Sequence, residues 1–235
     1  MNGYINSVQS FGAVDGPGVR YVIFMQGCPL RCSCCHNPDT WEFSGGQEVS
    51  AKEMVTKILR FRDYFGKDGG VTVSGGEALS QCEFVTELFT LLKKENIHTC
   101  LDTSGCILDE KVKKLLSVTD LVLLDIKYTN EEDYREYVGC ELSDVLEFYD
   151  YLEENKIPAW IRQVIIPTKT DDEKNISELL RITKKRPECT RKIELLPFRK
   201  ICQPKYDNLK IEFPFGNIPE PSPEKMKELQ KLINE

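Results

Sequence analysis

The chain is poor in the side chains and segments that several common classes of protein require. Among its 235 residues there are only two histidines, His36 and His98, so it offers little for the histidine-based pairs of hydrolytic enzymes. No stretch of about 18 apolar residues occurs, which argues against a membrane-spanning helix. The N-terminal sequence MNGYINSVQSFGAVDGPG lacks the charged and apolar regions of a secretory signal, so we expect a cytoplasmic protein.

An excess of positive charge is also missing. The formal net charge is −7, which argues against nucleic acid as the main partner. No G-x-G-x-x-G follows the first predicted strand, so a dinucleotide site of that kind is not expected. An apolar content of 40% is typical of a globular protein, and a chain of this length can bury a large core. We therefore predict a single domain over residues 1–235.

Cysteine is well represented, and three of the ten cysteines form a short array. Cys28, Cys32 and Cys35 are spaced C-x3-C-x2-C, with no fourth cysteine at a matching interval. Thiolates are soft ligands that suit zinc or iron–sulfur clusters, and a closed site of either kind takes four protein ligands. Three interpretations remain open: a zinc site completed by Cys34 or His36, a set of buried or disulfide-bonded cysteines, and a [4Fe-4S] cluster whose fourth iron binds a small molecule. The lack of a secretory segment argues against disulfides.

The hydrophobic pattern predicts six strands that alternate with helices. The predicted strands cover residues 20–26, 71–74, 97–101, 120–126, 159–166 and 192–196. The predicted helices cover residues 51–65, 81–95, 109–116, 131–137, 143–155 and 171–185, with a last helix at 223–232. Strict alternation implies parallel strands, and eight units of a full barrel need about 250 residues. We predict an α/β fold, a partial (β/α)6 TIM-like barrel; a doubly wound open sheet is the alternative.

Candidate functional residues gather where the predicted strands end, apart from Arg162, which lies within the fifth predicted strand. They are Gly75, Gly76, Glu77, Asp102, Thr103, Asp125, Lys127, Arg162 and Arg199. In barrels of parallel strands this edge carries the catalytic residues. Simpler interpretations exist: the glycines form a turn, Asp102 caps a helix, and Asp125 pairs with Lys127. Arg162 is harder to explain in this way, since an unpaired buried charge is costly.

The cysteine array resembles the signature of the radical S-adenosylmethionine (SAM) superfamily. The run GCPLRCSCCHNPDTW is similar to that of pyruvate formate-lyase activating enzymes. The similarity extends from about residue 10 to residue 198 and includes HTCLDTSG, DLVLLDIK, WIRQVIIP and KIELLPF. The segment between Cys35 and Val71 contains no cysteine, which favours the short, single-cluster type of activase. The other six cysteines are expected to be small buried hydrophobes: Cys82, Cys100, Cys106, Cys140, Cys189 and Cys202.

The resemblance implies cofactors and roles for particular residues. Cys28, Cys32 and Cys35 would ligate a [4Fe-4S] cluster with one open iron. The residues expected to contact SAM are Cys34, Cys35, His36, Gly75, Gly76, Glu77, Asp125, Ile126, Lys127, Arg162 and Arg199. Asp102 resembles an aspartate associated with a monovalent cation. Two features depart from the family: Arg199 stands where the activases have a histidine, and residues 200–221 differ from the usual C-terminal portion.

The resemblance also implies the activity. SAM would be cleaved reductively to a 5′-deoxyadenosyl radical, which would take a hydrogen atom from a glycine of pyruvate formate-lyase. No catalytic residue beyond the cluster and SAM is expected. The implied electron donor is a flavodoxin or ferredoxin, and we expect a monomer. Alternatives are an activase of another glycyl radical enzyme, a radical SAM enzyme acting on a small molecule or peptide, and a zinc- or cluster-binding interaction module.

Overall fold

The computed structural model of the chain describes residues 1–234, which group into two compact units. The first unit comprises residues 1–29 and 40–123. The second comprises residues 30–39 and the chain from residue 124 onward. The assignment of residues 1–235 to one domain therefore stays a prediction. No helix within residues 1–234 is long and apolar enough to cross a membrane.

The first unit contains five complete strands and the start of a sixth. These are β1 (Asn2–Gly12), β2 (Arg20–Met25), β3 (Gln47–Ser50), β4 (Gly70–Gly75), β5 (His98–Thr103) and the first residues of β6 (Leu121–Asp125). Their order is β3-β1-β2-β4-β5-β6. Strand β4 is parallel to β2 and β5, whereas β1 is antiparallel to β2 and β3. Helices α1 (Ala51–Leu59), α2 (Cys82–Lys94) and α3 (Glu110–Leu116) provide connections between the parallel strands.

The second unit contains the end of β6, two further strands and five helices among the residues described. These elements are α4 (Glu131–Tyr137), α5 (Leu142–Glu154), β7 (Ala159–Ile165), α6 (Glu173–Lys184), β8 (Thr190–Pro197), α7 (Gln203–Leu209) and α8 (Pro223–Asn234). Strands β7 and β8 are parallel, with Ile161 opposite Ile193. The Ile126 N–H donates to the Arg162 carbonyl at 2.9 Å, which joins the end of β6 to β7.

Each unit has a core of strand residues covered by one face of its helices. In the first unit Val71, Thr72 and Val73 of β4 are fully buried, so both faces of this parallel strand are covered. Helix α2 buries Phe84, Val85, Leu88, Phe89 and Leu92, which recur at helical spacing. In the second unit α5 buries Leu142, Val145, Phe148, Tyr149 and Leu152 in the same way.

Three elements are absent from the sequence prediction: β1, β3 and α7. The helix predicted over residues 51–65 is also too long, because α1 ends at Leu59 and Phe61 leaves the helical conformation with φ −108° and ψ 4°. A short 3-10 helix, Arg62–Tyr64, follows. All ten cysteines are thiols rather than disulfides. Cys106 and Cys140 are half-buried, so the expectation of full burial is wrong for these two.

Candidate cofactor site

The segment Gly75-Gly76-Glu77, at the end of β4, lies against the start of the cysteine loop, residues 27–37. Gly75 has φ +105°, a conformation that side chains other than glycine rarely adopt. A Cβ on Gly76 would lie 2.2 Å from the Gly27 carbonyl oxygen, so the close approach also requires glycine. The Glu77 N–H donates to that same carbonyl at 2.9 Å. The glycines therefore do more than form a turn.

The Glu77 carboxylate is buried and accepts hydrogen bonds from β5 and its own turn. The Thr103 hydroxyl donates to Oε1 at 2.6 Å, and the Ser104 N–H and hydroxyl donate to Oε2 at 3.0 Å and 2.5 Å. The Leu79 N–H donates to Oε1 at 3.1 Å. A carboxylate has about four acceptor sites, so this side chain is largely committed to joining the ends of β4 and β5. Its contact with SAM stays a prediction.

Asp102 is placed at the end of β5 by a neighbouring strand. The Ser74 hydroxyl of β4 donates to Asp102 Oδ2 at 2.7 Å. The next helix, α3, is capped instead by Asp109, whose carboxylate accepts from the Val112 N–H at 2.8 Å. The interpretation of Asp102 as a helix cap is therefore wrong. A cation at Asp102 stays a prediction.

Backbone hydrogen bonds fix the cysteine loop within each unit. In the first unit the Cys28 N–H donates to the Trp41 carbonyl at 3.1 Å. In the second unit the Ser33 N–H donates at 2.8 Å to the carbonyl of Tyr137, which is the last residue of α4. A turn follows, in which the Cys35 N–H donates to the Cys32 carbonyl at 3.0 Å. Cys28 and Cys32 are buried and Cys35 is half-buried.

Within the loop, Cys34 is buried and His36 is half-buried. Burial raises the pKa of the Cys34 thiol to about 11, although the Lys127 ammonium opposes the shift. The place of Cys34 beside the bound cofactor stays a prediction. Burial lowers the pKa of His36, and its Nε2 lies 2.9 Å from the Arg199 carbonyl oxygen.

Arg199 contributes its backbone to the loop and its side chain elsewhere. The carbonyl meets His36, whereas the guanidinium Nη1 pairs with Glu220 Oε2 at 2.6 Å. The structure therefore places the guanidinium on the C-terminal segment. A contact between Arg199 and SAM remains untested.

Asp125, Lys127 and Arg162 form one ionic group where the end of β6 meets β7; Arg162 is buried, and the other two are half-buried. Lys127 Nζ and Arg162 Nε lie 3.0 Å and 3.1 Å from the two carboxylate oxygens of Asp125. Burial raises the pKa of Asp125, but the charges of Lys127 and Arg162 outweigh it and lower the pKa to about 2. Burial likewise lowers the pKa of Lys127, but the Asp125 carboxylate raises it well above its usual value. Arg162 thus has the partner that its burial requires, and the Asp125–Lys127 pair is confirmed.

The turn after β6 is held by a tyrosine. The Lys127 N–H donates to the Tyr134 hydroxyl at 3.0 Å. Because the Ile126 N–H is bonded to the Arg162 carbonyl, the backbone of residues 125–127 is fixed on both sides. These contacts orient the ionic group.

The cysteine loop suits an iron–sulfur cluster in its chemistry. It offers three thiols, which are soft ligands. A buried polar atom also lacks a partner: the Tyr128 hydroxyl has no hydrogen bond to any of residues 1–234. The Tyr128 ring lies 5.5 Å, centroid to centroid, from the ring of Tyr137, whose carbonyl accepts from the Ser33 N–H of the loop, so Tyr128 lies near the loop. Cluster sulfur atoms would give it an acceptor. Within residues 1–234, no three His, Cys, Asp or Glu side chains form a group that could hold a metal ion as they stand. The set of cluster ligands therefore stays a prediction.

Comparison with known proteins places the chain in a family. A model of the radical SAM superfamily matches residues 22–180. The pyruvate formate-lyase-activating enzyme of Clostridium pasteurianum is 43% identical over 234 residues, which cover 99% of this chain and 98% of that protein. The chain belongs to the pyruvate formate-lyase-activating enzyme family of the radical SAM superfamily. The pyruvate formate-lyase 1-activating enzyme of Escherichia coli strain K12 is 39% identical, over 99% of this chain and 96% of its own length.

Solved structures agree on the fold. A domain of a pyruvate-formate lyase-activating enzyme from Bacteroides vulgatus has a TM-score of 0.59 at 23% identity and covers 71% of this chain and 93% of that one. A radical SAM methyltransferase from Sphaerobacter thermophilus has a TM-score of 0.68 at 17% identity and covers 92% and 63%. The predicted partial (β/α)6 barrel is confirmed, with β1 and β3 added as antiparallel strands. The doubly wound alternative is wrong.

Family membership implies a [4Fe-4S] cluster and SAM as cofactors. It excludes the zinc-binding interaction module among the sequence-based alternatives. Three residues with structural roles at this site were missed by the sequence reasoning: Ser74, Ser104 and Tyr134. Serine, threonine and tyrosine hydroxyls have no distinctive spacing, so only the fold reveals which carboxylate or carbonyl each one meets.

Proposed function

We propose that this chain activates pyruvate formate-lyase by generating a glycyl radical on it. One observation carries the proposal: the match to pyruvate formate-lyase-activating enzymes runs nearly end to end in both chains, at 43% identity for the Clostridium pasteurianum protein. Full coverage matters, because a shared barrel alone is found in enzymes that act on many substrates. The C-x3-C-x2-C loop supports the same activity.

Cys28, Cys32 and Cys35 would hold the cluster through three thiolates, leaving one iron for SAM. When bound, the cluster and SAM supply homolytic cleavage of the sulfur–C5′ bond and a 5′-deoxyadenosyl radical that removes a hydrogen atom. The chain's own part is to orient these groups and to keep water out. Buried thiols and the backbone contacts of the loop support that role.

SAM would be oriented by the strand ends described above. The glycines let the end of β4 lie close to the loop, with Glu77 keeping that end in place. Asp125, Lys127 and Arg162 offer fixed charges of both signs, which suit a ligand that carries both an ammonium and a carboxylate group. Asp102 would bind a monovalent cation near that carboxylate.

The partner would be a glycyl radical enzyme, pyruvate formate-lyase, and the donor a flavodoxin or ferredoxin. Cleaving SAM reductively needs a potential near the negative end of the range open to iron–sulfur clusters, about −700 to +450 mV. A low-potential electron carrier meets that need. Ten thiols without a disulfide suit a reducing cytoplasm, and we propose a monomer.

The test is anaerobic. The protein is reconstituted with iron and sulfide, reduced, and mixed with SAM and a pyruvate formate-lyase; 5′-deoxyadenosine and the EPR spectrum are measured. A glycyl doublet together with 5′-deoxyadenosine is expected. The variant Cys35→Ser should yield neither, while Cys106→Ser, a change at another half-buried cysteine, should behave as the native chain.

Other results would redirect or remove the proposal. If 5′-deoxyadenosine forms without the doublet, the radical SAM chemistry stands and the partner is another glycyl radical enzyme, a peptide or a small molecule. If a loaded, reducible cluster yields no 5′-deoxyadenosine, the enzymatic proposal is wrong.

A further inference from the structure

Helix α7 lies in the segment that departs from the family pattern, residues 200–221, and it contacts the cysteine loop. The helix and residues 30–37 of the loop belong to the second unit. The helix has seven residues and begins with Gln203-Pro204, so its own stability is small and its side-chain contacts must hold it in place. Two consecutive residues, Lys205 and Tyr206, make those contacts.

Tyr206 joins the loop to an aromatic cluster. Its side chain is fully buried, and its hydroxyl donates to the Cys35 carbonyl at 3.1 Å. The ring stacks on Phe213 with centroids 4.6 Å apart, and Phe213 in turn contacts Phe198 at the end of β8. The Cys35 carbonyl is therefore bonded to a side chain that packs in an aromatic cluster at the end of β8.

Lys205 fixes the residues that follow Cys35. Its ammonium donates to Asn37 Oδ1 at 2.8 Å and to Asp39 Oδ1 at 2.9 Å. Asn37 itself donates its backbone N–H to the Cys35 Sγ at 3.3 Å. Lys205 thus holds the residue whose amide points at a predicted cluster ligand.

We propose that Tyr206 and Lys205 position residues 35–37 so that the Asn37 amide donates to the Cys35 sulfur, which raises the reduction potential of a cluster bound there. Hydrogen bonds to the sulfur atoms of a cluster favour the more negatively charged, reduced state. The inference rests on the proposed function, since it needs Cys35 to ligate the cluster. It gives residues 200–221 a role in electron transfer to the cluster.

The test measures the cluster's midpoint potential by EPR-monitored redox titration without SAM. Tyr206→Phe keeps the stacked ring and leaves the net charge of the protein unchanged, but it removes the hydroxyl that donates to the Cys35 carbonyl. The midpoint potential of the cluster in this variant should therefore be lower than in the native protein. Lys205→Met should lower it as well, and Lys205→Arg should restore it. Tyr149→Phe, which removes a buried hydroxyl bonded to Thr190, and Lys210→Met, at the end of α7, should leave the potential unchanged.

Hydrogen exchange of the cofactor-free chain gives a second readout. The amides of residues 35–37 should exchange faster in Tyr206→Phe and Lys205→Met than in the two controls. Unchanged potentials and unchanged exchange would overturn the inference, and so would a fall in Lys205→Met alone, which indicates a charge effect. If even the native chain fails to load a cluster, the proposed function fails, while the exchange data still decide whether α7 positions the loop.

Discussion

Glu77 illustrates how a motif residue acts through the fold. Its buried carboxylate accepts from Thr103, from both donors of Ser104 and from Leu79. The variant Glu77→Gln preserves size but turns one acceptor into a donor that faces other donors. We expect the free energy of unfolding of the cofactor-free chain to fall by about 2 kcal/mol, because buried polar groups lose their partners. Urea unfolding measures this.

The control is Glu83→Gln on α2, whose exposed carboxylate pairs with Lys111 at the surface. Surface pairs contribute little, so this change should alter stability by less than about 0.5 kcal/mol. Equal effects of the two variants would mean that the Glu77 network does not stabilise the strand ends.

For Tyr128 we predict that a substitution stabilises the chain. Its buried hydroxyl has no partner within residues 1–234, and an unsatisfied polar group costs about 1–3 kcal/mol. Tyr128→Phe should therefore stabilise the cofactor-free chain by about 1 kcal/mol. Tyr149→Phe removes a hydroxyl that is bonded to Thr190 and should destabilise it. If both variants destabilise the chain alike, the Tyr128 hydroxyl has a partner.

Among the elements, β5 and β6 are tied together by Asp120. Its carboxylate accepts from the Thr99 N–H at 2.9 Å and hydroxyl at 3.0 Å, and it pairs with Lys93 of α2. Burial raises the pKa of Asp120, but these bonds outweigh it, so the pKa lies below its ordinary value. An unfolded aspartate titrates at about pH 4, so the stability that this group contributes is complete above that pH and is lost as the pH falls further.

Asp120→Asn should remove that part of the pH dependence. Between about pH 5 and pH 2.5 the stability of the native chain should fall more steeply than that of the variant, as measured by urea unfolding at each pH. Asp63→Asn, in the 3-10 helix after α1, serves as the control and should keep the native slope. Parallel curves for all three proteins would contradict the prediction.

The six parallel strands and their helices could be predicted from sequence because their signals are strong. Buried strands such as Leu121–Asp125 are continuous apolar runs, and the caps Ser50 and Asp109 mark helix starts. The missed elements lack such signals. Strand β1 is mostly exposed and carries asparagine, serine and glutamine; β3 has four residues; and α7 contains proline and asparagine. Their structure depends on tertiary contacts.

The candidate site likewise has residues that could be predicted from the sequence and others that could not. Cysteine spacing and the strand-end motifs located the loop and the charged residues, since those residue types are rare at such positions. The partners of the same residues could not be predicted: Ser104 for Glu77, Glu220 for Arg199 and Tyr206 for Cys35. Each pair is far apart in the sequence, so only the folded chain shows which hydroxyl or carboxylate a residue meets.

At the scale of the whole molecule, the similarity to a pyruvate formate-lyase-activating enzyme covers 99% of the chain and therefore supports both the fold and the proposed activity. The central claim is that a hydrogen atom moves from a glycine of pyruvate formate-lyase to the 5′ carbon of SAM. The most direct measurement uses pyruvate formate-lyase labelled with α-deuterated glycine, followed by mass spectrometry of the 5′-deoxyadenosine.

The account predicts 5′-deoxyadenosine that carries one deuterium, in an amount equal to the glycyl radical counted by EPR. Unlabelled glycine should give the same yield without deuterium. If the labelled partner yields 5′-deoxyadenosine free of deuterium, the hydrogen atom comes from another source, and the assignment of this chain as the activase of pyruvate formate-lyase is contradicted.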